Sequence, residues 1–133
     1  LVLITNKRIA VSVVSNLVLI ALLNNILKLI VRRARPTGFR LVEETGYSFP
    51  SGHSMVSMAF YGYLIYLIYK NVKNKKLRWT LMTGFGILIF IIGMSRIYLG
   101  VHYTSDVFAG FLFSLGYLVV YIKFTDPIVF QKK

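Results

Sequence analysis

IAVSVVSNLVLIALLNNIL, residues 9–27, contains no charged side chain. About 20 mainly apolar residues in a helix cross a bilayer core, and this stretch has that length. Three more such stretches follow: HSMVSMAFYGYLIYLIY at 53–69, WTLMTGFGILIFIIGMSRIY at 79–98 and TSDVFAGFLFSLGYLVVYI at 104–122. One alone would also suit a buried helix of a soluble protein. Four in succession point to a membrane, in a chain of 133 residues that is 56% hydrophobic and only 15% charged. Soluble domains carry about 25% charged residues. The sequence predicts an all-α integral membrane helical bundle with about four transmembrane helices, a single domain over residues 1–133. Gly84, Gly86, Gly93, Gly110 and Gly116 lie inside the spans and predict close helix contacts. Trp79, Tyr98 and Tyr121 near span ends suit the aromatic belt at the membrane interface.

The charge is strongly one-sided, with 16 Lys+Arg against 4 Asp+Glu and a net +12. Nucleic acid, anionic lipid and phosphorylated substrates all attract such a chain. No basic arm or nucleic-acid-binding motif accompanies the charge, so no nucleic-acid partner is expected. The absence of cysteine excludes disulfides, thiolate catalysis and cysteine metal sites. Only His53 and His102 could supply imidazole ligands and no HExxH spacing occurs, so neither a metal nor another cofactor is expected. With four spans, both termini share a side with the 70–78 loop KNVKNKKLR. That side collects Lys7, Arg8, the loop cations, Lys123, Lys132 and Lys133, and the positive-inside rule places it in the cytoplasm. Lys28, Arg32, Arg33, Arg35, Arg40 and Arg96 remain on the outer face, where the rule disfavours them. Binding an anion would account for them.

The outer face gathers three polar groups: KLIVRRARP from Lys28 to Pro36, PSGH from Pro50 to His53, and SRIYLGVHYTSD from Ser95 to Asp106. Each has a plain reading. The cations can snorkel to headgroups, Ser51 can simply cap a helix, and His102 and Asp106 can form a local i,i+4 pair. Together they supply what phosphoryl transfer through histidine needs. A helix start offers free N–H groups to phosphate oxygens, Ser51 a hydroxyl, and Gly52 close backbone approach. Lys28, Arg35 and Arg96 can neutralise the phosphoryl charge in the transition state. One histidine can attack phosphorus, with a carboxylate fixing its tautomer. The other can protonate the leaving oxygen.

The three groups resemble the signature of the type 2 phosphatidic acid phosphatase superfamily: K-x6-RP, PSGH and SR-x5-H-x3-D. Here these read Lys28 through Arg35-Pro36, then Pro50-Ser51-Gly52-His53, then Ser95-Arg96 through His102 to Asp106. The match covers residues 28–106 in order and in spacing. The resemblance implies that His102 is the nucleophile, forming a phosphohistidine, and that Asp106 orients it. His53 would be the general acid that releases the alcohol. Lys28, Arg35, Ser51, Gly52, His53 and Arg96 would hold the phosphate, with no metal. It also implies a membrane phosphatase that hydrolyses a terminal phosphate from phosphatidic acid, phosphatidylglycerophosphate or undecaprenyl pyrophosphate, its active site on the extracytoplasmic face of the cell membrane. A lipid-linked phosphotransferase, or a non-catalytic scaffold or transporter piece, is the alternative.

Membrane members of that family have six spans, with the first motif after the third. Here the first motif follows the first span and the chain starts at Leu1, so two spans are expected upstream. Arg32, Arg33 and Arg40 lie outside the signature and are expected to face lipid, with a second phosphate or headgroup as the alternative. Glu43 and Glu44 are expected in a solvated turn.

Overall fold

The structure, a computed structural model, describes residues 6–131; Leu1, Lys132 and Lys133 lie outside them. Four helices make up the bundle: α1 (Lys7–Val31), α2 (Gly52–Asn71), α3 (Lys75–Tyr98) and α4 (Thr104–Val129). They match the four predicted stretches and extend beyond them, because the helical hydrogen bonding continues past the apolar limit to polar caps. The Asn6 side chain accepts from the Arg8 N–H at 3.0 Å, Asn74 accepts from Leu77 at 3.0 Å, and Ser51 accepts from Ser54 at 3.3 Å.

α1, α3 and α4 are long and apolar enough to cross a membrane. α2 is long enough but less apolar, because Ser54, Ser57 and Tyr63 interrupt it. Position allows this: α2, like α4, packs against all three other helices, whereas α1 and α3 do not touch each other. Its neighbours are side chains as much as lipid, and most buried polar groups there find partners; the Asn16 Oδ1 has none among the described residues. Tyr63 donates to Ser12 at 2.9 Å, Asn16 donates to the Ala59 carbonyl at 2.9 Å and Ser114 donates to the Met55 carbonyl at 2.9 Å. Interhelical hydrogen bonds of this kind contribute about 0.6 kcal/mol each in a bilayer. Apolar packing of Ile9, Tyr63, Leu67 and Leu118, and of Ile20, Met55 and Ala59, fills the rest of the core. Val14, Val18, Leu22, Ile87, Phe90, Leu112 and Val119 point outward as a lipid-facing surface requires. Tyr121 leaves the predicted belt: it is buried and donates to the Ser12 carbonyl at 2.6 Å. Trp79 and Tyr98 stay exposed.

The predicted glycine contacts hold at two of the five positions. A methyl group on Gly110 would meet Ser54 at 3.0 Å and the Ser51 carbonyl at 3.1 Å, and one on Gly93 would strike Phe111. Gly84, Gly86 and Gly116 have nothing near them. Gly110 thus lets α4 lie against the start of α2, where the PSGH segment begins.

The up-and-down order puts the C-terminal ends of α1 and α3 and the N-terminal ends of α2 and α4 together. α1 ends at Arg32, whose φ of 51° is left-handed. Such a conformation costs a non-glycine residue roughly 1–2 kcal/mol, and it turns the chain across the bundle end. The α3–α4 turn relies on Gly100, with φ of 74°, whose Cβ position is blocked by the Phe39 carbonyl. Gly100→Ala should therefore lower stability by about 1–3 kcal/mol, read as a fall in thermal midpoint in detergent. Gly84→Ala, in open space, should leave the midpoint unchanged.

Candidate active site

Residues 32–51 run from α1 to α2 across this end of the bundle and fold back onto the α3–α4 turn. The Leu41 N–H donates to the Leu99 carbonyl at 3.1 Å, and the Ser48 N–H to the Arg33 carbonyl at 2.8 Å. The Ser51 N–H reaches the Asp106 carbonyl at 3.1 Å. These bonds join the three sequence motifs into one cluster.

Lys28, in the last turn of α1, donates to the carbonyls of Tyr47 at 2.8 Å and Pro50 at 2.9 Å. An ammonium has three protons, so one remains for a ligand. Arg35 is tied more heavily. Its guanidinium donates to the carbonyls of Gly46 at 3.1 Å, Thr45 at 3.0 Å and Val101 at 3.0 Å, and its Nη1 lies 3.3 Å from His102 Nε2. Ser51 caps α2 and is fully buried; it accepts from the Ser54 N–H and, at 2.9 Å, from the Ser54 hydroxyl. Gly52 opens the helix beside it, with Asn24 Oδ1 3.2 Å from where a Cβ would stand.

His102 and Asp106 are not an intrahelical pair. His102 lies in the turn before α4, and Asp106 is in the first turn of that helix. They still meet, with Nδ1 at 3.5 Å from Oδ2. Asp106 is fully buried and well supplied with donors: the Tyr103 N–H at 2.8 Å and the Ser48 hydroxyl on Oδ2, and Arg33 at 3.0 Å on Oδ1. Oxygen acceptors therefore surround Nδ1, while a guanidinium faces Nε2. This favours the tautomer with its proton on Nδ1 and the Nε2 lone pair turned toward Arg35. Burial, then Arg35, hold the His102 pKa below its ordinary value, against the opposite pull of Asp106 and Glu44. The shift favours the neutral ring.

Glu44 departs from the solvated turn expected of it. Its carboxylate lies 2.9 Å from Arg35, 3.3 Å from Arg96 and 3.7 Å from His102 Nε2. An anion thus already sits between two guanidiniums and the Nε2 of His102. Arg33 also departs from expectation, since it pairs with Asp106 and Ser105 and stacks at 4.1 Å over the Tyr103 ring. Ser48, Glu44 and Arg33 all fall outside the three motifs. The only hint to Ser48 in the sequence was its closeness to PSGH, and for Arg33 its place inside the basic run.

His53 is at the same end, in the first turn of α2. It makes no hydrogen bond among the described residues, and it lies within electrostatic reach of Arg96, Glu44 and Arg35. Its ring lines a crevice of about 270 Å³ between α1 and α3, walled by Leu17, Val56, Phe60 and Ile92. Among the described residues no group of acidic or histidine side chains has the arrangement of a metal site.

A multi-pass helical membrane protein with a cationic cradle and a carboxylate-held histidine at one bundle end is the class these features define. Within it, the chain belongs to the PAP2 superfamily, whose family model matches residues 9–129. It is 40% identical over 105 residues to phosphatidylglycerophosphatase B of Bacillus subtilis, covering 76% of this chain and 49% of that one. It is 31% identical over 131 residues to an undecaprenyl-diphosphatase of Sulfolobus acidocaldarius, covering 92% of this chain and 59% of the other. The crystal structure of a transmembrane PAP2-type phosphatidylglycerolphosphate phosphatase from Bacillus subtilis superposes with a TM-score of 0.81 at 32% identity. That match covers 90% of this chain and 60% of the solved one. The chain thus spans about half to three-fifths of the length of these relatives.

Proposed function

We propose that the protein hydrolyses the terminal phosphate of a lipid phosphate or pyrophosphate through a phosphohistidine on His102. The observation that carries this reading is the convergence of Arg35, Arg96 and His102 Nε2 on one carboxylate. A phosphoryl group has the charge and the acceptor oxygens to replace it. The two guanidiniums and Lys28 hold the oxygens, and the N-terminus of α2 adds its N–H groups. The Nε2 lone pair attacks phosphorus as the P–O bond to the lipid breaks. His53 gives its proton to the leaving oxygen. The imidazolium charge on His102 is stabilised by Asp106, whose contact to Nδ1 shortens as charge develops. Water then attacks the phosphohistidine, His53 takes its proton, and the N–P bond breaks to release phosphate. No step uses a metal ion.

The apolar crevice beside His53 supports a lipid substrate, since an acyl or prenyl chain can lie between α1 and α3 while its phosphate reaches the cradle. The extracytoplasmic face is favoured because the opposite end carries Lys7, Arg8, Lys70, Lys73, Lys75 and Lys76. The phosphatidylglycerophosphatase and undecaprenyl-diphosphatase among the relatives favour phosphatidylglycerophosphate and undecaprenyl pyrophosphate as first substrates to try.

The test is phosphate release by the full-length protein from a panel of these lipids and phosphatidic acid, with chelator present. Release that survives chelation supports the reading; none from any lipid, or equal turnover of a short water-soluble ester, counts against it. The acid limb of kcat/KM should lie below pH ~6.5, the ordinary imidazole value. With its folded pKa lowered, His102 stays a free base down to that pH and is lost as nucleophile only below it. A pH–rate profile of the free enzyme reads this limb. Glu44→Gln should tighten inhibition by inorganic phosphate severalfold, because the neutral amide no longer competes for Arg35 and Arg96; unchanged inhibition would mean that phosphate binds elsewhere.

A further inference from the structure

Arg33 is separate from the cradle. Its guanidinium carbon lies 4.1 Å from the centre of the Tyr103 ring, and the group donates to Ser105 Oγ at 2.7 Å and to Asp106 Oδ1 at 3.0 Å, with no hydrogen bond or ion pair to Glu44 or His102. Its backbone is pinned as well, since the Arg33 carbonyl accepts from the Ser48 N–H. Ser48 in turn donates its hydroxyl to Asp106 Oδ2, the oxygen that faces His102. The carboxylate is therefore gripped on one oxygen by Arg33 and on the other by Ser48 and the Tyr103 N–H, and only the edge toward Nδ1 remains for the histidine.

We infer that Arg33 is a positioning residue for the reaction proposed above: it orients and charge-balances the buried Asp106 carboxylate so that this group can hold the Nδ1–H of His102. The inference rests on that reading for its kinetic consequences, but not for its structural ones. A carboxylate with no exposed surface needs a cation or several donors to stay ionised. Asp106 has both, and the cation comes from the segment that α1 sends across the bundle end. The position of its side chain is set by two features: the left-handed Arg32, which ends the helix one residue earlier, and the Tyr103 ring, whose face takes the guanidinium. A lysine has neither the planar fork nor the stacking surface.

The charged groups around His102 fix the sign of the test. Arg35 and Lys28 oppose protonation of the ring, and Asp106 and Glu44 favour it. α3 contributes Arg96, paired to Glu44, and α2 contributes His53. Removing Arg33 leaves Asp106 less compensated and takes away a nearby positive charge. Both changes make the ring easier to protonate.

The experiment uses the full-length protein with ring-15N histidine, comparing wild type, Arg33→Gln and Arg33→Lys. Imidazole nitrogen shifts are followed through a pH titration, and turnover of a lipid phosphate is measured alongside. For Arg33→Gln the His102 midpoint should rise and kcat should fall roughly 10–100-fold, the range for removing a partner that supports a functional histidine. KM should change little, because the cradle is untouched. Arg33→Lys should return the midpoint toward the wild-type value while restoring kcat only in part. A fall in kcat with the His102 midpoint unmoved would make Arg33 merely structural and overturn the inference; a lowered midpoint would mean that the lost orientation of Asp106 outweighs the lost charge, and would support it. If the wild-type protein releases no phosphate, the catalytic reading fails, yet the titration still decides whether Arg33 acts on His102 through Asp106.

Discussion

Replacing His102 by alanine is expected to abolish turnover, by roughly 10⁴-fold or more. Loss of the attacking group removes the covalent route entirely and leaves only what binding and charge stabilisation can do. The ring has no other task in the structure that a neighbour could take over. It is nearly buried, at 4% exposure, with Nδ1 toward Asp106 and Ser48 and Nε2 toward Arg35 and Glu44. Alanine leaves the carbonyl bonds of Arg35 to Gly46, Thr45 and Val101 in place, so phosphate should still bind. The measurement is a pair: phosphate release, and an acid-labile phosphoprotein after a brief pulse of labelled lipid. Both should vanish together in His102→Ala. In His53→Ala both formation and hydrolysis of the phosphoprotein should slow, because the same group protonates the leaving oxygen and activates water. Residual release above one part in a hundred from His102→Ala would exclude this residue as the nucleophile.

Asp106→Asn should cost nearly as much, about 10³–10⁴-fold in kcat, although it changes the shape of the side chain hardly at all. Asp106 Oδ2 accepts from the Tyr103 N–H and from Ser48 and lies beside Nδ1. An asparagine placed to keep its oxygen on Arg33 would present its NH₂ to that side. Nδ1 would then have to accept, the proton would move to Nε2, and the attacking lone pair would be lost. A comparable change in a serine-protease triad reduces kcat by about 10⁴-fold through the wrong tautomer. The same substitution leaves a donor facing the Tyr103 N–H in the first turn of α4, so a lower thermal midpoint should accompany the kinetic loss. Asparagine turnover within tenfold of wild type would show that the carboxylate does not set the ring.

The membrane bundle was legible in the sequence because apolar length is a local property: a run such as 9–27 has one economical conformation in a bilayer, a helix with every backbone group paired internally. The three motifs were legible for the same reason. Lys28 and Arg35, Pro50 to His53, and Ser95 to Asp106 are each held within one short segment, and an up-and-down order carries them to one end. The family follows from them, and the match over residues 9–129 bears that out. The plain reading of His102 and Asp106 as a local pair within one helix does not hold. The turn at Gly100 ends α3 before the histidine, and the pair closes across a helix start instead.

Glu44, Arg33 and Ser48 were illegible because no periodicity governs residues 32–51. Polar side chains in a connection read as solvated until the path of the backbone is known. That path is set by contacts between residues far apart in the chain: Leu41 with Leu99, Ser51 with Asp106, and Arg35 with Val101. Hydropathy and motif chemistry, which depend on neighbours along the chain, were enough for the class of protein, the bundle and the gathering of the three motifs at one end. Which anion fills the cradle, which cation steadies Asp106 and which nitrogen of His102 is free depend on distances of about three ångströms between segments that meet only once the helices have packed.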